Sequence, residues 1–95
     1  MFLSAYHYDG DTAPLLAAYD RLRAEFPSDA FLLHVCVVTT TGLTVFNACP
    51  SREVFHEFSQ DADFRRRTAA AGLPQPRIEP LGEVHDTVAR PSVPS

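Results

Sequence analysis

The sequence predicts a small α+β domain with its elements in the order strand–helix–strand–strand–helix–strand. Three observations predict it. Short runs rich in β-branched and aromatic residues alternate with stretches whose apolar residues recur every three or four positions. Two of the short runs follow one another across a glycine-containing turn, the pattern of a β-hairpin. The chain has 95 residues, which leaves room for one domain.

The first strand is predicted over Phe2-Leu3-Ser4-Ala5-Tyr6-His7-Tyr8, stopped by the turn-forming Asp9-Gly10-Asp11. Thr12 is the expected cap of the helix that follows, with Pro14 in its first turn and an apolar stripe of Leu15, Leu16, Tyr19, Leu22 and Phe26 ending at Pro27. The second strand is predicted from Phe31 to Val38 and the third from Leu43 to Cys49, joined through Thr39-Thr40-Thr41-Gly42. Ser51 is the expected N-cap of the second helical region, where Val54, Phe55, Phe58 and Phe64 supply the apolar contacts and a break near Ser59 to Asp61 divides it in two. Gly72 is a natural C-cap, and the last strand is predicted from Arg77 to His85. Pro80 removes a backbone donor there, so this strand belongs at an edge or carries an irregularity.

This order suits the ferredoxin-like βαββαβ plait, a four-stranded antiparallel sheet with its helices on one face. The second strand is apolar on both alternating sets, with Leu33, Val35 and Val37 on one and Leu32, Cys36 and Val38 on the other. The face without helices is therefore expected to be covered by a second copy, giving a homodimer. The domain is expected to span residues 1–86, with 87–95 as a flexible tail.

Composition excludes several classes. The chain is 45% hydrophobic and 21% charged, the balance of a globular protein. A formal net charge of −4 argues against nucleic acid, and Arg65-Arg66-Arg67 reads as a solvated helix face. Apolar runs are too short to cross a membrane. Two cysteines, with no apolar leader at the N-terminus, point to a reduced, cytoplasmic protein.

A resemblance is carried by the strand order, by Val45-Phe46-Asn47-Ala48-Cys49-Pro50-Ser51-Arg52-Glu53, where a strand runs straight into a capped helix, by the segment from Phe64 to Gly72, and by the ending from Gly72-Leu73-Pro74 to Glu83-Val84-His85. Over residues 2–85 the chain resembles the dimeric α+β barrel superfamily, and within it the small antibiotic-biosynthesis-monooxygenase-like proteins. The resemblance implies two sheets packed face to face, each monomer holding a pocket between its sheet and its helices. Family chemistries include cofactor-free oxygenation, cyclisation, isomerisation and haem handling, so the resemblance names no reaction. Oxygenase members commonly carry a tryptophan before the second helix. This chain has no tryptophan, offers Cys49 at that place and has Phe55 where a tyrosine is expected.

His7, His34 and His85 each fall in a predicted strand, where an imidazole aimed into a pocket can serve as a general base and otherwise is a hydrogen-bonded structural group. His34 is the preferred candidate because it interrupts an apolar strand and needs a partner, and His7 is the second. With Thr41-Gly42 as a two-residue turn, His34 pairs opposite Cys49 and Cys36 opposite Asn47, gathering these groups on one face. His7 is expected at the same end of the sheet, on the premise that strands 1 and 3 run parallel. His85 falls at the other end of strand 1, so the histidines gather no metal site. Cys49, just before a helix, is either a thiolate with a lowered pKa or a small buried residue. Tyr6, Cys36, Asn47, Cys49, Phe55 and Phe58 are the expected pocket residues, and Tyr19 is expected in the core. The expected ligand is a hydrophobic or aromatic small molecule, with no cofactor. The rivals are a non-catalytic dimerisation or interaction module, favoured if Phe46, Phe55, Phe58 and Phe64 fill the pocket, and a haem-binding protein.

Overall fold

The computed structural model describes residues 1–26 and 32–90. Its elements are β1 (Phe2–Asp9), α1 (Thr12–Arg23), β2 (Leu33–Val38), β3 (Gly42–Cys49), α2 (Arg52–Ser59), α3 (Ala62–Ala71) and β4 (Arg77–Glu83). The four strands form one antiparallel sheet in the order β2-β3-β1-β4, the α+β arrangement of a ferredoxin-like plait. The expected start of the second strand at Phe31, the helix stop at Pro27 and the tail from Pro91 onward lie outside the described residues.

The helices lie on one side of the sheet because alternate residues of the central strands demand it. Phe2, Tyr6, Tyr8, Leu43 and Val45 share a buried core with Leu15, Ala18 and Leu22 of α1 and with Phe55 and Phe64 of α2 and α3. Burying Phe55 and Phe64 stabilises the fold by about 2–3 kcal/mol each. The other side of the sheet stays open. Leu33, Val35 and Val37 of β2 are 36–43% exposed.

Helix ends follow local chemistry. The Ser51 hydroxyl accepts from the Val54 amide, capping α2 as expected. Asp61 accepts from the Asp63 amide and starts α3, so the break falls at Ser59 to Asp61. Gly72, at φ 98°, ends α3 while the Leu73 amide returns to the Thr68 carbonyl. Arg21 donates through Nε and Nη2 to the Ala71 carbonyl, at 3.0 and 2.8 Å, tying α1 to the end of α3. At α1 the expectation fails: the N-cap is Asp11, without a side-chain cap bond, and Thr12 is the first helical residue.

The hairpin register also differs from the expected one. The turn is Thr40-Thr41, closed by the Thr39 amide on the Gly42 carbonyl at 2.9 Å. Gly42 belongs to β3, because a Cβ there would lie 2.0 Å from the Tyr8 carbonyl oxygen. The close approach of β1 keeps the glycine in the strand. His34 therefore pairs with Asn47, not Cys49, and Cys36 with Val45, not Asn47.

β4 is an edge strand, and its pairing with β1 shifts between Leu3 and Ser4, next to Pro80. The strand ends at Glu83, which leaves His85 exposed beyond it. Arg66 and Arg67 of the basic run pair with Asp63, and Arg67 also with Glu25, on an exposed helix face.

Candidate functional site

Where α1 and α3 meet the inner face of the sheet, the side chains leave a cavity of about 130 Å³. Tyr6, Tyr19, Phe26, His34, Asn47 and Phe58 form much of its wall, joined by Arg23, Phe64 and other core residues. The surface is mainly apolar, with a few polar atoms converging on it, the usual make-up of a small-molecule site.

Register brings the polar atoms together. β2 and β3 set His34 and Asn47 directly opposite each other, so both side chains rise from the same face. The imidazole Nδ1–H donates to Asn47 Oδ1 at 2.6 Å. On the ring's other side, the Tyr19 hydroxyl donates to Nε2 at 2.6 Å. The Tyr19 and His34 rings are stacked at 5.9 Å and 21°.

Burial pushes the His34 pKa below that of an ordinary histidine, the Asn47 bond opposes this, and the positive charge of Arg23 adds to the lowering. The ring is thereby held neutral at pH 7. Because Asn47 Oδ1 can only accept, the proton sits on Nδ1 and Nε2 carries the lone pair. Burial raises the Tyr19 pKa, with Cys36 and Asp20 adding to the rise and Arg23 opposing it, so the phenol keeps its proton. The result is a hydrogen-bonded chain in which Asn47 fixes the tautomer, His34 presents a lone pair and Tyr19 points its proton at it.

Tyr6 adds a different feature. Its hydroxyl is buried, and the side chain it meets is Ser4, whose own hydroxyl donates to the Asn47 carbonyl. Burial raises the Tyr6 pKa to about 12 and Cys49 adds to the rise, which the hydrogen bond with Ser4 offsets only in part.

The remaining expected residues separate. His7 lies on the open face, because it alternates with the buried Tyr6 and Tyr8 along β1, and the antiparallel pairing sets it beside Thr44. Its Nε2–H donates to Glu79 at 2.9 Å, and its Nδ1 shares a hydrogen bond with the Thr44 hydroxyl at 3.0 Å. It does not join His34. Phe55 packs on Phe2 at 5.1 Å, in the core and away from the cavity wall. Cys36 packs partly buried against the core, and Cys49 lines a neighbouring groove with Pro50 and Val54. Burial raises the Cys49 pKa despite the helix that follows, in keeping with the reading of a small, partly buried residue. The cavity is not filled by phenylalanines: Phe58 and Phe64 form walls, Phe55 is in the core, and Phe46 alternates onto the open face.

Tyr19 is the residue that sequence reasoning missed. Its spacing from Leu15 and Leu22 reads as core, and its ring is partly buried as that spacing implies. The signal lay in its tip: a buried phenol and a strand histidine both require partners.

Comparison with protein-family models, curated proteins and solved structures finds no match for the chain. The chemistry of the cavity is thus the basis for function. No helix among the described residues is long and apolar enough to cross a membrane.

Proposed function

We propose that the protein binds a hydrophobic or aromatic small molecule in the cavity between sheet and helices, and that it acts there by cofactor-free acid–base chemistry. The Asn47–His34–Tyr19 chain at the wall of an apolar cavity carries this reading. A substrate proton passes to the Tyr19 oxygen as the Tyr19 proton passes to His34 Nε2. The cyclase- and isomerase-like chemistry of the antibiotic-biosynthesis-monooxygenase-like proteins is the nearest parallel. The oxygenase branch fits less well, for want of a tryptophan.

The open sheet face supports a homodimer. Leu33, Val35 and Val37 are apolar and exposed on one strand, and a second copy placed face to face would bury them. This observation also supports the second reading, a module whose barrel serves only to dimerise. Haem does not fit the cavity: about 130 Å³ is too little for a four-pyrrole macrocycle, and both ring nitrogens of His34 are engaged.

Native mass spectrometry of protein purified gently from its host tests the proposal. A dimer carrying a reproducible small-molecule mass is expected, and His34→Ala should remain dimeric but lose turnover of that compound. An empty dimer would favour the dimerisation module, and a His34→Ala protein that turns over normally would remove His34 as the base.

A further inference from the structure

We propose that Arg23 is the cavity's specificity-determining residue, and that it selects a single-ring aromatic acid, with the ring on the buried floor of the cavity and the carboxylate at its rim. This rests on the small-molecule reading of the cavity and narrows it to a substrate class.

The cavity wall has two unlike sides. Leu22, Val45 and Phe64 are buried and make an apolar floor. Tyr19, Arg23, His34 and Asn47 are half-buried and make a polar rim. A ligand with an apolar body and a polar head fits such a wall in one orientation, body on the floor and head at the rim. About 130 Å³ sets the size of the body, close to the roughly 150 Å³ of an apolar protein cavity that accepts benzene.

The charge at the rim sets the head. None of the described residues that line the cavity is an aspartate, glutamate or lysine, and Arg23 is its arginine. Arg23 Nη1 donates to the Phe26 carbonyl at 2.7 Å, which ties the guanidinium to a second residue of the same wall. Burial dominates the shifts of His34 and Tyr19, and the Arg23 charge pulls both pKa values downward, so the guanidinium lies within electrostatic reach of the proton pair. The protons of that pair are committed inside the chain, from Tyr19 to His34 and from His34 to Asn47. Compensation of a half-buried anion therefore falls to Arg23, whose planar fork matches a carboxylate. The anion also assists the proposed chemistry. Proton transfer to His34 Nε2 creates an imidazolium near the Arg23 charge, and a carboxylate on Arg23 offsets the repulsion between the two cations.

Benzoate and benzamide differ in charge at pH 7 and little in shape. Their dissociation constants, measured by calorimetry or ligand-observed NMR, are expected to favour benzoate by roughly tenfold in the wild-type protein. Arg23→Gln should abolish that preference while still binding benzamide, and Arg65→Gln, which removes an exposed charge on α3, should retain it. A second measurement needs no substitution: benzoate, and not benzamide, should shift the Arg23 Nε–H resonance of the wild-type protein. Equal binding of the two probes, a preference that survives Arg23→Gln or vanishes in Arg65→Gln, or an Arg23 resonance unmoved by bound benzoate overturns the inference and leaves the cavity reading standing. If neither probe binds the wild-type protein, the small-molecule reading itself falls, and this inference with it.

Discussion

The Tyr19 hydroxyl lies 2.6 Å from His34 Nε2, and the two rings are within 21° of parallel. A helix residue and a strand residue thereby act as one unit. Proton transfer between them requires no movement of the backbone, and Asn47 on the far side of the imidazole stops the ring from flipping.

His34 should titrate below an ordinary histidine, because burial outweighs the Asn47 bond. NMR of the imidazole nitrogens should show a neutral ring at pH 7 with its proton on Nδ1. Unfolded chains bind this proton at higher pH than folded ones, so the contribution to stability is complete above the ordinary histidine range. It is lost as pH falls through the lowered value. His34→Gln should flatten the fall of Tm between pH 7 and pH 5, and an equal slope in both proteins would contradict the assignment.

Tyr6→Phe should change stability by no more than about 1 kcal/mol, because the buried hydroxyl removed is at best weakly paired with Ser4. Urea unfolding measures this. A loss of more than about 1 kcal/mol would mean that the phenol is satisfied in the empty protein.

Gly42→Ala should cost about 3 kcal/mol or more, since the new Cβ would meet the Tyr8 carbonyl at 2.0 Å in a backbone with φ 152°. Gly82→Ala shares the unfavourable φ, 147°, but meets nothing within 4 Å. It should cost only about 1 kcal/mol. Thermal unfolding of the two variants side by side gives the comparison.

Val35→Asp, on the open face, should yield a monomer by analytical ultracentrifugation, whereas Cys36→Asp should damage the core that Cys36 packs against. A wild-type protein that is itself monomeric at micromolar concentration would remove the barrel.

Element order, the hairpin, the Ser51 and Gly72 caps and the helix break were all legible because each rests on residues close together in sequence. The site was legible only in part. His34 stood out as a polar residue in an apolar strand, but its partner depended on where Gly42 sat. That was decided by the approach of Tyr8, a contact from a strand more than 30 residues away in sequence. Parity of the strands saved the pairing: a two-residue change in register replaced Cys49 with Asn47 on the same face. His7 was misplaced because β1 and β3 are antiparallel, which sets it beside Thr44 and away from Asn47, and because it alternates with the buried Tyr6 and Tyr8 onto the other face. Tyr19 was hidden because helical spacing reports which way a side chain leans and says nothing of what its tip touches.

The irregularity at Pro80 has a consequence for self-association by backbone pairing. A sheet edge recruits a foreign strand through a row of free amides and carbonyls. At β4 that row is interrupted by a proline and by the shift in register beside it. At β2 it runs past Leu33, Val35 and Val37, and among the described residues no strand lies beyond it. The domain is accordingly one-sided towards fibril growth: template-driven addition would begin along β2, and a lysine or proline placed on that edge is the change that should suppress it.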